Sequence, residues 1–295
     1  MQGNNETIEI ITCSYRPDLE RCRRLCESVD RFVPGDIGHT LIVPHRDLPL
    51  FSGLADGRRR VLSVQQVVPG TFRQLSLGEK IWLDGSFWPV RGWVMQQLVK
   101  LSVTRATTAE LLLFANSDLQ FVRPFERERI YRDGKLRLHR IPGAMAEGRH
   151  SHWHRRAGAL LDEAADYIGS DYVGQLITWR RSNLLALQAH VEKVSGKPWH
   201  VAVSRSLDIS EYILYGSFVE HVLGSQASGH FYDAQELCHC CWFDYQAEEL
   251  LSGNCQLAPN AMALLVQSNL GLSQAAETAV LRAATGQANT AIAGV

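Results

Sequence analysis

Apolar and polar positions along this chain follow two rhythms, and the switches between them mark out its elements. Residues 8–12 form a short β-rich apolar run that ends in the polar stretch Ser14-Tyr15-Arg16-Pro17-Asp18. Leu19, Cys22, Cys26 and Val29 then recur at helical spacing, so the opening predicts a strand, a loop and a helix. Residues 40–43 and 61–68 read as two further strands, bounded by Pro, Gly and Asp turn signals. Residues 92–105 predict a helix with Val94, Leu98 and Leu101 on an apolar stripe. Trp93, Gln96, Gln97, Lys100 and Thr104 group on a second face that is unusually polar for a buried position. Residues 110–114 are a continuous apolar run of the kind a central strand makes, and it closes on Asn116-Ser117-Asp118.

Beyond Pro142 helical patterns dominate, over residues 156–168, 183–194 and 210–223, with a strand at 176–179 between the first two. Residues 260–295 are rich in Ala, Gln, Thr and Gly and almost uncharged, which predicts weak helices or a mobile tail. The expected fold class is α/β, a mixed sheet flanked by helices. Its first half spans 1–140, a helical lobe sharing the sheet spans 141–258, and a tail spans 259–295.

With 295 residues and 45% hydrophobic content the chain can fill the core of one large α/β domain. Thirty basic residues nearly cancel 31 acidic ones, so no global field favours nucleic acid as a partner. The first residues lack a basic, apolar leader, and no stretch approaches the roughly 20 apolar residues that cross a bilayer. The expected location is the cytoplasm, or the inner face of the membrane as a peripheral protein. Seven cysteines without a secretory signal suit reduced thiols.

The candidate chemistry starts at Asp118, since a carboxylate at a strand end can hold Mg²⁺ or Mn²⁺ against a diphosphate. Asn116 stands where a second carboxylate would complete a DxD pattern, and its amide can meet a ribose or a metal-bound water. A plain Asx-rich turn is the competing reading. His150, His152 and His154 alternate around Trp153, and on a strand they would share one face as zinc ligands do. No carboxylate or cysteine completes that set, and a pocket in which Trp153 stacks on a sugar, with His154 and Tyr215 beside it, competes with a plain surface role. Cys238-His239-Cys240-Cys241 lacks the spacing and the second pair of a zinc site, although His230 or His239 could act as a late metal ligand.

The segments IITCSYRPD, GWVMQQLVKL, LLLFANSDLQFVRPF and ISEYILYGSF, in that order over residues 7–245, resemble a bacterial family of glycosyltransferase-like proteins linked with surface-polysaccharide synthesis. The resemblance implies a GT-A fold, a nucleotide-sugar donor (a UDP-sugar foremost), a glycan or glycolipid acceptor and a divalent metal. It makes 1–140 the donor half and 141–258 the acceptor side. Carried onto this sequence, it places Thr12, Ser14, Tyr15 and Asp18 in the donor loop, with an N-cap as the rival role of Asp18. It also places Gln97 and Lys100 against the donor, Lys100 neutralising diphosphate charge, where a solvated helix face is the rival. Glu211 is the candidate base of an inverting transfer; a capping box with Asp208 as N-cap is its competing role.

Two other functions fit less of the chain. A nucleotidyltransferase needs a glycine-rich phosphate loop after the first strand, and TCSYRPD has no glycine. A non-catalytic GT-A-like module that binds a nucleotide or glycan and partners an active transferase draws support from Asn116. The tail could serve either as an oligomerisation element, making a homo-oligomer, or as a docking element.

Overall fold

The computed structural model describes residues 6–70, 72–75, 81–143, 148–163, 169–206 and 208–293. Its centre is a five-stranded sheet of β1 (Ile8–Cys13), β2 (Gly38–Val43), β3 (Arg59–Ser63), β7 (Leu111–Phe114) and β11 (Ile177–Arg180). The order is β11-β7-β1-β2-β3, with β1, β2, β3 and β7 parallel and β11 antiparallel to β7. The chain builds outward from β1 to β3, then crosses back to lay β7 on the other side of β1. That reversal opens a crevice outside the carboxyl ends of β1 and β7, where ligands of open α/β sheets gather.

Both faces of the sheet are covered, which is why its strands read as continuous apolar runs. Ile11, Leu112, Phe114 and Trp179 pack on one side against helices α2 (Gly92–Leu101), α4 (Arg181–Ser195) and α5 (Glu211–Ser217). Ile8, Ile10, Leu111 and Leu113 pack on the other side against Leu25 and Val29 of α1 (Leu19–Phe32). The predicted stripe of α1 is buried at Cys22, Cys26 and Val29.

Three small sheets surround this centre. β4 (Arg73–Gln74), β5 (Ile81–Leu83) and β6 (Pro89–Arg91) form an antiparallel meander leading into α2. β9 (Tyr131–Arg132), β10 (Lys135–His139) and β12 (His230–Asp233) form the second. The third joins β8 (Leu119–Phe121), directly after β7, to β13 (Cys238–Cys241) and β14 (Ala263–Val266), with β14 in the middle.

The structure corrects the sequence reading in three places. The strand expected over 61–68 stops at Ser63, whose hydroxyl and backbone form a capping box with Gln66 and start the helical turn Val64–Val67. The histidine cluster is helical: α3 (Arg149–Leu161) puts His150 and His154 one turn apart and turns His152 to the other side, so the three do not share a face. Residues 164–168 of the helix expected there lie outside the described residues. The region taken as a weak tail contains β14, a fully buried strand at the centre of its sheet. It also contains helix α6 (Gln274–Ala293), anchored by the buried Glu277, which meets Arg21 at 2.6 Å and Arg24 at 2.5 Å. No described helix is long and apolar enough to cross a membrane.

Candidate functional site

A cleft of about 310 Å³ sits at the carboxyl ends of β1 and β7. Four groups of side chains line it. Cys13 ends β1, and Asn116, Ser117 and Asp118 follow β7. Trp93, Gln96, Gln97 and Lys100 come from the polar face of α2; Ser210, Glu211 and Tyr212 come from the start of α5. Trp153 of α3 and Ser268 after β14 complete the wall with Val173.

The floor is a buried ion pair. Lys100 Nζ lies 2.9 Å from Glu211 Oε1, and donates to the Tyr212 hydroxyl at 2.6 Å. Burial alone would pull the ammonium pKa down, but Glu211, Tyr212 and Cys13 together outweigh it, and Lys100 is held well above the usual lysine range. Glu211 is fixed by its helix: Ser210 is the N-cap, its hydroxyl accepting from Ile213 N at 3.4 Å, and Gln97 Oε1 accepts from Glu211 N at 3.0 Å. The capping box expected from Asp208 is therefore replaced, because Asp208 accepts from the Trp153 indole at 2.7 Å instead. This leaves the Glu211 carboxylate for Lys100 and the cleft. The other end of the Gln97 amide, Nε2, is buried without a partner among the described residues, an orphaned donor that a bound acceptor atom would satisfy.

Across the cleft, burial raises the Asp118 carboxyl pKa from 3.8 to about 6, with the nearby Asp18 adding to the rise. Its Oδ2 accepts from Ser268 N at 3.4 Å. Asp18 stands behind it: its Oδ2 accepts from Ser117 Oγ at 3.3 Å, and Arg21 approaches its Oδ1 at 3.5 Å. Asp18 occupies the N-cap position of α1 but its side chain makes no capping bond, so the cap reading fails there. Asn116 donates to Gln175 Oε1 at 2.9 Å, which uses one amide N–H and leaves its second N–H and its carbonyl oxygen.

At the mouth, Trp93 and Trp153 stack with ring centres 5.8 Å apart. A wider groove of about 680 Å³ adjoins, sharing Cys13, Trp93 and Gln96 with the cleft and lined further by Ser14, Tyr15, Ile42 and Trp82. Cys13 is no activated nucleophile, since burial pushes its thiol up to about 12.

Six residues predicted from sequence, Gln97, Lys100, Asn116, Asp118, Trp153 and Glu211, thus meet in one cleft, with Ser14 and Tyr15 in the groove beside it. Three others lie elsewhere. Thr12 alternates away from Cys13 into a buried polar chain, 3.0 Å from His39, which in turn accepts from Arg59. Tyr215 is buried against Trp179, and its hydroxyl accepts from Arg180 N at 2.8 Å and meets His230 Nε2 at 2.9 Å. His154 is buried in α3, where desolvation lowers it to about 4. Both ring nitrogens of His230 are engaged, Nδ1 with Leu136 O, so it is not placed as a late metal ligand. Among the described residues no three His, Cys, Asp or Glu converge as a ready metal cage. Sequence reasoning missed Cys13, Tyr212, Ser210 and Ser268. The strict alternation of β1 could have found Cys13 once Thr12 was known to point inward.

A mixed sheet whose strand order reverses at β1, with a polar cleft at that reversal and helices on both faces, defines a mixed α/β protein compatible with a Rossmann-like fold. The chain belongs to DUF6492, a family of unknown function whose model matches residues 7–283. No curated protein matches the chain.

Proposed function

We propose that this protein is a glycosyltransferase of GT-A type, moving a sugar from a nucleotide-diphosphate donor, a UDP-sugar foremost, to a hydroxyl of a glycan or glycolipid. The observation that carries the reading is the buried Lys100–Glu211 pair facing Asp118 across a strand-end cleft. In an inverting transfer the acceptor oxygen attacks the anomeric carbon as Glu211 takes its proton, and the bond from that carbon to the diphosphate oxygen breaks with its electron pair leaving on the phosphate. Lys100 has three N–H donors and spends two on Glu211 and Tyr212, so one remains for the negative charge that develops on the leaving group. Trp93 and Trp153 offer aromatic faces to a sugar ring at the mouth. The groove at Ser14 and Tyr15 has the room and the apolar wall for a base and ribose.

Asp118 fits a divalent metal by its chemistry. Mg²⁺ is commonly held by one or two carboxylates plus substrate phosphates, not by a full protein cage. A desolvated carboxylate with Asp18 nearby, its pKa still raised despite the Arg21 cation, would also gain from the charge of a dication. Bound there with the donor, Mg²⁺ or Mn²⁺ would neutralise phosphate charge as a Lewis acid. Asn116, standing where a second carboxylate would complete the DxD pattern, favours a second reading, a non-catalytic nucleotide- or glycan-binding module.

Thermal-shift and donor-hydrolysis assays with UDP-, GDP-, dTDP- and CMP-sugars, with and without Mn²⁺, separate the two. The transferase reading expects one donor to stabilise the protein in a metal-dependent way that Asp118→Ala abolishes. It further expects Glu211→Gln to bind that donor but to lose about 10²–10⁴-fold in turnover. Binding with no turnover in the wild type would leave only the module.

A further inference from the structure

The small sheet beside the cleft has two unlike faces. Trp82 and Val90 are cross-strand partners and point into the core. Ile81, Leu83, Pro89 and Arg91 alternate with them and form the opposite, outward face. At the tip the backbone is tightly held. Phe87 N donates to Asp84 O at 2.9 Å, and the Asp84 carboxylate accepts from Ser86 N, Ser86 Oγ and Trp88 N. Arg205 pairs with Asp84 at 2.9 Å and lays its guanidinium over the Trp88 ring, 4.7 Å from its centre.

The three-residue loop Gly85-Ser86-Phe87 ends in a left-handed residue, a position that hairpins of this length usually give to glycine. Here it is Phe87, with φ of 60°. A bulky side chain in that region strains the backbone, and such strain persists where the surroundings enforce it. The ring is nevertheless 82% exposed, so no internal packing accounts for it. The tip is a rigid mount that presents an aromatic ring to something outside the molecule.

We infer that this hairpin docks the protein on an anionic lipid bilayer, with Phe87 and Trp88 entering the headgroup layer beside the cleft. Charge selects the occupant. Arg73 and Arg91 are exposed at the edges of the apolar face, Arg205 lies behind Trp88, and the one carboxylate among the described residues of the hairpin, Asp84, is already paired with Arg205. Aromatic side chains flanked by guanidinium groups match an interface in which rings sit at headgroup level and anionic lipids attract the cations. Ile81, Trp82 and Arg91 also line the groove that adjoins the cleft. Docking therefore brings the site against the lipid surface, where a lipid-borne acceptor would be presented. That last consequence rests on the transferase reading; the docking itself does not.

Flotation of the full chain with vesicles of phosphatidylcholine, alone or mixed with phosphatidylglycerol, tests it. The wild type should float with the mixed vesicles and release as salt is raised. Phe87→Ser should lower partition about tenfold or more, the scale set by losing one buried aromatic ring. Phe87→Gly should do the same while melting no lower than the wild type, because glycine relieves the left-handed strain. The Mn²⁺-dependent thermal shift with donor should be unchanged in both variants, so a failed transferase reading shows in that assay and a failed docking reading in flotation. Wild-type protein that stays at the bottom of the gradient, or variants that float as it does, overturn the inference. So does lipid-free self-association that Phe87→Ser abolishes, which would assign this face to a second copy of the chain.

Discussion

Replacing Asp118 by asparagine should make the protein more stable at neutral pH, an unusual result for a substitution in a cleft. Burial holds the Asp118 carboxyl at about 6 in the folded chain against 3.8 ordinarily, so its ionised form is disfavoured by folding. A raised carboxyl pKa contributes stability that is fully present below 3.8 and is lost as pH rises through about 6. At about 1.4 kcal/mol per pH unit the loss reaches roughly 3 kcal/mol. The carboxylate keeps some solvent contact, which trims this to about 1–3 kcal/mol. The amide of Asp118→Asn has no charge to desolvate and keeps an oxygen for Ser268 N, so the variant recovers that amount at pH 7.5 and nothing at pH 3.5. Urea denaturation of the two proteins at both pH values measures it, and melting should differ by several degrees at the higher pH. Adding Mn²⁺ with a bound donor should close or reverse the gap, since the cation stabilises only the ionised wild type. A variant that is less stable than wild type at pH 7.5, or a gap that does not shrink with acid, would refute the reasoning.

The other predictions concern the buried ion pair of the cleft and the packing of α5. Lys100→Met leaves Glu211 buried without its partner and should cost about 3–5 kcal/mol in urea melts, while the pair Lys100→Met/Glu211→Leu recovers most of that loss. Tyr215→Phe removes a hydroxyl bonded to Arg180 N and His230, so it should cost about 1–2 kcal/mol and leave donor binding unchanged by calorimetry. Gly216→Ala places a methyl inside the Tyr172 ring at a tightly packed point of α5, and should lower stability by about 1–3 kcal/mol or more in the same melts.

The parts of this fold legible in the sequence are those whose pattern has one physical meaning. β1 and β7 are short apolar runs closed by polar residues, and α1 carries a clean stripe at Cys22, Cys26 and Val29. The polar face of α2 stood out because amide and ammonium groups interrupt a buried helix, and those residues do line the cleft. Elsewhere local pattern was ambiguous. The run Val61-Leu-Ser-Val-Gln-Gln-Val-Val68 looks like one strand, and only the side-chain geometry of Ser63 and Gln66 shows the cap that ends it. Alternating histidines at 150, 152 and 154 suggested a strand although the segment is helical. Ala263–Val266 lies in an Ala-rich stretch whose strand character comes from long-range pairing with β8 and β13, which no local period reports. Tyr215 misled in the same way, since its partners Arg180 and His230 are distant in sequence.

The placement of β14 has a consequence for how the molecule comes into being. β8 leaves β7 and pairs with a strand made of residues 263–266, and the segment after that strand holds Asp118 through Ser268 N. At a synthesis rate of about 5–20 residues per second, the apolar β8 waits roughly 7–30 s for its partner to emerge. The strands β1, β2, β3 and β7 are made early, yet the carboxylate at the heart of the cleft is not fixed until residues 263–268 have left the ribosome. A fragment ending before residue 263 would therefore lack a finished cleft and display β8 as an unpaired edge, the kind of surface on which nascent chains aggregate.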